Sequence, residues 1–290
     1  MTTKIKLFTL ISIIAVAAIG ISVFQLFAFE EDRDPFAGES IVVGGSRSVV
    51  ETIGIRLVDE YRDMYPKRTI TMYEASHTGG ALEGTDSGIL DLGFTSRAPS
   101  DSEVAAFPNL IYRVPMRDGL VFVTTDPVSV QNVTTEQLFN IYAGTTTNWM
   151  DLGDVNAPII VFDRSEGSSP KVALREELKF LPENFRVTRE AIVLGSPDEM
   201  DAALSKTQYS IGYTSYGSIQ LKNLPVNMLA IDGVFPSPES IAAGSFPLYR
   251  EMGYVTAGEP EGLLKDFVDF MYSERGRQLM SESGFVPLFD

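Results

Sequence analysis

Along the first half of the chain, apolar residues come in two alternating rhythms. Short unbroken runs, Ile41-Val42-Val43 and then Thr69 to Tyr73, flank a stretch in which Val49, Val50, Ile53, Leu57, Val58 and Tyr61 keep helical spacing up to Pro66. The runs predict buried strands, and the spaced positions predict an amphipathic helix broken by proline. The succession then repeats: Ser76-His77-Thr78-Gly79-Gly80 reads as a turn opening a helix, and Ile89 to Gly93 as a strand. Phe94 to Arg97 leads on into a Ser100-x-x-Glu103 capping box. Strand and helix in alternation predict an α/β fold around a largely parallel sheet.

The second half keeps the rhythm. Leu120 to Thr124 is a strong strand former, Thr134 to Tyr142 is helical, and the only tryptophan stands in Thr147-Asn148-Trp149. A helix is expected from Lys171 to Lys179 and a strand at Ile211-Gly212-Tyr213. Leu263, Leu264, Phe267, Val268, Phe270 and Met271 form one apolar face, followed by a helical stretch from Arg275 to Ser283 and by Gly284-Phe285-Val286-Pro287-Leu288. The pattern at the N-terminus is of a different kind. Lys4 and Lys6 precede an uncharged stretch from Leu7 to Phe29, and Glu30, Glu31 and Asp32 follow it at once. About 20 apolar residues cross a bilayer. Positive charge before the stretch and acid after it predict a single N-terminal transmembrane helix at 1–29, with the rest of the chain outside. A cleaved signal peptide is the competing reading, but no small-x-small cleavage site ends the run. Residues 30–40 are then a charged spacer.

Composition narrows the functions available. Lys and Arg total 23 against 39 Asp and Glu, a net charge of −16, which argues against a nucleic-acid partner. With no cysteine and one histidine, His77, the chain has no thiol chemistry, no thiolate metal site and no basis for a His-rich metal site or a Ser/His triad. No cofactor motif, nucleophile–base pair or metal cluster is legible, so an enzyme is not expected.

One segment invites an anion despite the global charge. Val161-Phe162-Asp163-Arg164-Ser165-Glu166-Gly167-Ser168-Ser169-Pro170-Lys171 is an apolar strand running through an arginine and a Ser/Gly turn into a proline-started helix. Such a corner gathers free backbone N–H groups and the positive end of a helix dipole, and the Arg164 guanidinium adds a fork of charged donors suited to a tetrahedral oxyanion. Plain N-capping by the same serines is the bland alternative. Gly44 to Ser48 and Ser76 to Gly80 are corners of the same kind, and open α/β sheets bind ligands where such corners converge.

These residues also occur in a recognisable order: Gly45-Ser46, Thr78-Gly79-Gly80, Asp91-Leu92-Gly93 with Ser96-Arg97, Leu138 to Trp149, Arg164 to Ser168, Ile211-Gly212-Tyr213 and the terminal Gly284 to Leu288. In that order they resemble the phosphate-binding proteins that feed phosphate ABC transporters, which have the type II periplasmic-binding fold. The resemblance implies two lobes: 41–116 plus 245–290 as lobe 1 and 117–244 as lobe 2, with the ligand in the cleft between. It implies capture of phosphate or a related oxyanion for an ABC transporter permease or another membrane protein. The implied ligand-binding residues are Ser46, Arg47, Ser48, His77, Thr78, Gly79, Asp91, Arg164, Glu166, Gly167, Ser168 and Ser169. Asp91 has a particular role in this expectation, because an acceptor-only carboxylate faces an anion only if the anion carries a proton, as phosphate does and sulfate does not.

Five positions depart from the family pattern. Its arginine turn usually runs Arg-x-Asp-Gly-Ser-Gly-Thr, whereas Glu166, Ser169 and Pro170 stand at the acid, second glycine and threonine. Arg47 falls where a small hydroxyl residue is usual, and His77 where serine is. These changes define the alternative: a non-transport descendant acting as an interaction or structural module of a membrane complex, with Arg47 and His77 altering or filling the pocket.

Overall fold

The computed structural model describes residues 34–288 apart from Glu183, and their side chains apart from those of Ser169 and Glu177. The expected transmembrane helix lies outside the described residues, among which no helix is long and apolar enough to cross a membrane.

The chain starts with β1 (Ser40–Ser46), a helical segment whose regular part is α1 (Ile55–Met64), β2 (Thr69–Ser76), α2 (Thr78–Asp86) and β3 (Leu92–Thr95), with β1 parallel to both β2 and β3. The expected strand at 89–93 thus begins later, at Leu92. Gly84 accepts from the amides of Ile89 and Leu90, holding both in the turn that ends α2. After α3 (Asp101–Ala106), capped by the expected Ser100–Glu103 box, β4 (Leu110–Thr124) runs far enough to serve two sheets.

The second region holds β5 (Asn132–Val133), α4 (Thr135–Ala143), β6 (Ile160–Arg164), α5 (Ser169–Val172), β7 (Ile192–Leu194), α6 (Pro197–Leu204), β8 (Ser210–Ser215) and α7 (Tyr216–Lys222). The helix expected from Lys171 to Lys179 is instead the short α5 continued by a π-helical turn, Ala173–Glu177. Then come β9 (Asn227–Met228), β10 (Ala230–Ile231), α8 (Pro238–Ala242) and the return strand β11 (Tyr249–Ala257). The chain finishes with α9 (Gly262–Tyr272), α10 (Glu274–Glu282) and β12 (Val286–Pro287).

One strand path, β2-β1-β3-β11-β4-β8-β6-β7, runs through both halves, with β9 and β12 added on β4 and β5–β10 a separate pair, yet the apolar residues form two separate cores. Val43, Leu57, Phe94, Tyr254 and Phe267 belong to one; Val121, Phe122, Trp149, Ile211 and Tyr213 to the other. The molecule is therefore two-lobed. From Leu110 to Gly119, β4 pairs with β11, and from Leu120 to Thr124 it pairs with β8, so the partner changes where the chain crosses. Leu120 to Val123 are buried on both faces, which is why that run is unbroken in its hydrophobicity.

Strand directions fix where the corners point. β1, β2 and β3 are parallel to one another and, through antiparallel β11, run the same way as β4, so their carboxyl ends face lobe 2. In lobe 2, β8 is antiparallel to β4, with β6 and β7 parallel to β8, so these carboxyl ends face lobe 1. The two sets of strand ends confront each other across the cleft.

Candidate functional site: an interlobe oxyanion cleft

The lobe 1 wall is a string of hydroxyls at strand ends. Ser46 closes β1, Thr78 opens α2, and Ser96 follows β3. Ser46 Oγ donates to Ser96 Oγ at 3.0 Å, Ser48 Oγ lies 3.2 Å from Ser46 Oγ, and Thr78 Oγ1 accepts from the Ser96 amide at 3.2 Å. Gly45 makes the corner possible. It sits at φ +117, where a Cβ would collide with the backbone of Phe94 on the neighbouring strand.

The lobe 2 wall carries charge. Arg164 ends β6 and is 6% exposed; its Nε and Nη2 donate to the carbonyls of Leu194 and Gly195 at 3.1 and 3.3 Å. Those contacts orient the guanidinium, which has five N–H groups in a rigid fork. In the following turn the Ser168 amide donates to Ser165 O at 2.9 Å. The Ser168 hydroxyl oxygen is buried with no hydrogen-bond partner among the described residues, which leaves it able to bond a ligand. A Cβ added at Gly167 would meet no atom within 4 Å, so the turn is open on its outer side. Pro170 lies in the first turn of α5, where its missing N–H is tolerated.

Between the lobes is a cavity of about 680 Å³, bounded by Arg97 and Ser100 from lobe 1, Val172 and Glu176 from lobe 2, and Tyr249 and Arg250 at the crossing; neither the hydroxyls of the lobe 1 wall nor Arg164 and Ser168 line it directly. At the crossing, Asp118 pairs with Arg250 and Arg117 with Glu251, residues directly opposite in the β4–β11 ladder. The Arg117 guanidinium also lies 4.1 Å from the Tyr249 ring centroid. On the rim, Arg97 grips Glu103 at 2.7 and 2.8 Å, and that grip holds the Glu103 carboxyl down at about 2.

Of the expected residues, Ser46, Ser48 and Thr78 come together on one wall, and Arg164, Gly167 and Ser168 form the corner on the other. Ser169 is in place in the backbone of α5, but its side chain lies outside the described set. Gly79 sits in the first turn of α2 beside the His77 ring. Four expectations need correction. Asp91 lies at the amino end of β3, where its Oδ2 accepts from the Val42 amide at 2.7 Å; five residues of extended chain, roughly 16 Å, separate it from Ser96. Arg47 points to solvent and pairs with Glu51 one turn on, at 2.9 Å. His77 caps α2, its Nδ1 accepting from the Gly80 amide at 3.0 Å. Glu166 is exposed and pairs with Arg175 at 3.0 Å. Neither Arg47 nor His77 fills the pocket. Ser96 is the residue missing from the expected set; its signal was available, a hydroxyl just past a strand end.

Two lobes joined by crossing strands, with oxyanion-suited corners facing each other over a cleft, define a ligand-enclosing binding protein. The chain belongs to the PBP superfamily, whose domain model matches residues 32–275. It is similar to the phosphate-binding protein PstS of Borreliella burgdorferi, 26% identical over 258 residues, covering 86% of this chain and 91% of that protein. It is likewise similar to PstS of Bacillus subtilis, at 23% identity over 255 residues, covering 88% and 82%. The crystal structure of PstS from Borrelia burgdorferi has the same fold, with a TM-score of 0.72 at 24% identity over 87% of this chain and 100% of that one. An ABC-type phosphate transport receptor from Vibrio cholerae gives 0.70 at 25% identity, covering 85% and 99%.

Proposed function

We propose that the protein is an extracytoplasmic solute-binding protein that captures phosphate or a related oxyanion between its lobes and presents it to the permease of an ABC transporter. One observation carries this reading: the Arg164 fork at the end of β6 and, in the turn after it, the Ser168 hydroxyl, without a partner among the described residues, stand opposed to a second wall of hydroxyls. Positive charge comes from one side and neutral donors from the other, which suits a small anion that must be desolvated on all faces. The relatives that span most of the chain carry phosphate binding in their names, which supports the same ligand. Arg164, Ser168 and the backbone of Gly167 and Ser169 hold the anion from lobe 2; Ser46, Ser48, Thr78 and Ser96 meet it from lobe 1. The reading places 41–116 with 245–290 in one lobe and 117–244 in the other, turning about the β4–β11 crossing. No bond is made or broken.

The uncharged run at 7–29 serves in this proposal as a retained anchor that keeps the receptor at the outer face of the membrane. Mass spectrometry of the mature protein tests it, and an N-terminus near Glu30 would refute it. For the ligand, isothermal titration of the purified full chain with phosphate, sulfate and other oxyanions is the direct test. Saturable binding of phosphate is expected; absence of binding by every oxyanion would sink the proposal.

A further inference from the structure

Beneath the charged wall lies a second set of charges that the ligand never meets. Lys171 is 0% exposed, and its Nζ donates to both carboxylate oxygens of Asp163, at 2.8 and 2.7 Å. The Tyr213 hydroxyl donates to Asp163 Oδ1 at 2.8 Å and accepts from the Arg164 amide at 3.3 Å. Burial first, and Asp163 second, push the Tyr213 hydroxyl well above its ordinary range, so it stays a donor. The space beside this assembly is about 10 Å³, bounded by Phe122, Leu138 and Tyr142 among others. That volume admits one water at most. An anion therefore does not reach Lys171.

The placement of the three groups is what matters. Asp163 is the penultimate residue of β6, and Lys171 lies in the helix that follows the turn. The residues enclosed between them, 164–170, include every lobe 2 group assigned above to the anion. A buried ion pair is a poor source of net stability, since burying both charges costs about as much as their attraction returns, and an apolar pair of similar volume often serves as well. It does fix direction.

We infer that Lys171 is a positioning residue for the anion site: through Asp163 and Tyr213 it clamps both ends of the 164–170 turn and so aims Arg164 and Ser168 at the cleft. Asp163 also neutralises the Lys171 charge, leaving Arg164 as the cation the ligand feels.

The inference rests on the phosphate reading, and its test separates the two. The double variant D163L/K171M removes both charges together and leaves only the Tyr213 hydroxyl without its acceptor; Tyr213→Phe keeps the ring and removes only the hydroxyl link. Each is measured as the full chain by titration with inorganic phosphate, by thermal unfolding and by amide exchange at 165–168. The double variant is expected to melt below the parent by no more than the loss of the Tyr213 hydrogen bond accounts for, to bind phosphate about tenfold more weakly and to exchange faster in the turn. Tyr213→Phe is expected to lose about threefold in affinity. Parental affinity in either folded variant overturns the inference. If the double variant does not fold, Tyr213→Phe decides alone. If the parent chain binds no phosphate, the function proposed above fails, and exchange in the turn decides the clamp: faster exchange in the variant supports it, parental exchange overturns it.

Discussion

The two walls of the cleft follow one local recipe to different ends. Each begins at the carboxyl end of a parallel strand, β1 or β6, and enters a short helical turn followed by a π-helical turn, Val50–Gly54 in lobe 1 and Ala173–Glu177 in lobe 2. In lobe 1 the corner is built from Ser46, Ser48, Thr78 and Ser96, which bond one another and bring no charge. In lobe 2 it holds Arg164 outside and the Asp163–Lys171 pair inside, all buried. In a chain of net charge −16, attraction for an anion must be local, and it is gathered in one lobe. A buried cation needs fixed partners to stay aimed: the Leu194 and Gly195 carbonyls hold the Arg164 side chain, and the Tyr213 hydroxyl holds its backbone amide. Hydroxyls need none, because each can donate or accept as the ligand demands.

Breaking the charged wall should therefore cost most. Lys171→Met alone leaves Asp163 buried without its partner and is expected to destabilise folding by about 3–5 kcal/mol, read as a lowered midpoint in urea unfolding. Arg164→Ala keeps the fold and strikes the ligand: loss of a desolvated charge partner is expected to weaken phosphate binding by about 2–5 kcal/mol in titration calorimetry. A smaller loss than that would mean the lobe 1 hydroxyls hold the anion as firmly as the arginine does, and the comparison would fail.

The hydroxyl wall should yield less. Ser96→Ala is expected to weaken phosphate binding by about 1 kcal/mol. Combining it with Ser46→Ala should give less than the sum of the two, because both belong to one string of bonds. Acid should loosen the rim of this wall. Glu103 titrates at about 2 in the folded protein against an ordinary 4.5, because Arg97 and Ser100 bond its charged form. A lowered folded value means the contribution is complete above 4.5 and is lost as pH falls from there towards 2. Glu103→Gln should flatten the pH dependence of thermal stability in that window, and an unchanged profile would show that the Arg97–Glu103 grip contributes nothing.

Much of the architecture could be read from local pattern, and the failures have physical causes. The helix after Ser46, the Ser100–Glu103 box and the Thr134-capped helix α4 all depend on residues within a turn of one another. The return strand β11 did not show itself, because Arg250 and Glu251 interrupt its apolar run; their partners, Asp118 and Arg117, lie on β4, far away in sequence. Lys171 looked like a first-turn helix lysine for the same reason: nothing nearby reveals that the core of lobe 2 closes over it. Ser96 and Asp91 share one cause. Ending the third strand at Gly93 rather than Thr95 brought Asp91 close to its carboxyl end and set Ser96 three residues past it, which promoted the aspartate and hid the serine.

That displacement yields the prediction with the smallest expected effect. If Asp91 faced the anion, Asp91→Asn would relax discrimination against sulfate, since the carboxylate would no longer demand a protonated ligand. Its Oδ2 instead accepts from the Val42 amide, and its own amide donates to Val42 O at 2.8 Å, so it closes the β1–β3 ladder at the end away from the cleft. Asparagine keeps a side-chain oxygen for that amide and loses only the added strength of a charged acceptor, a cost of at most about 1 kcal/mol in folding stability. Phosphate affinity and the phosphate-to-sulfate ratio should both match the parent protein in parallel titrations. A fall in that ratio without a fall in stability would return Asp91 to the ligand and overturn the assignment of the lobe 1 wall to hydroxyls alone.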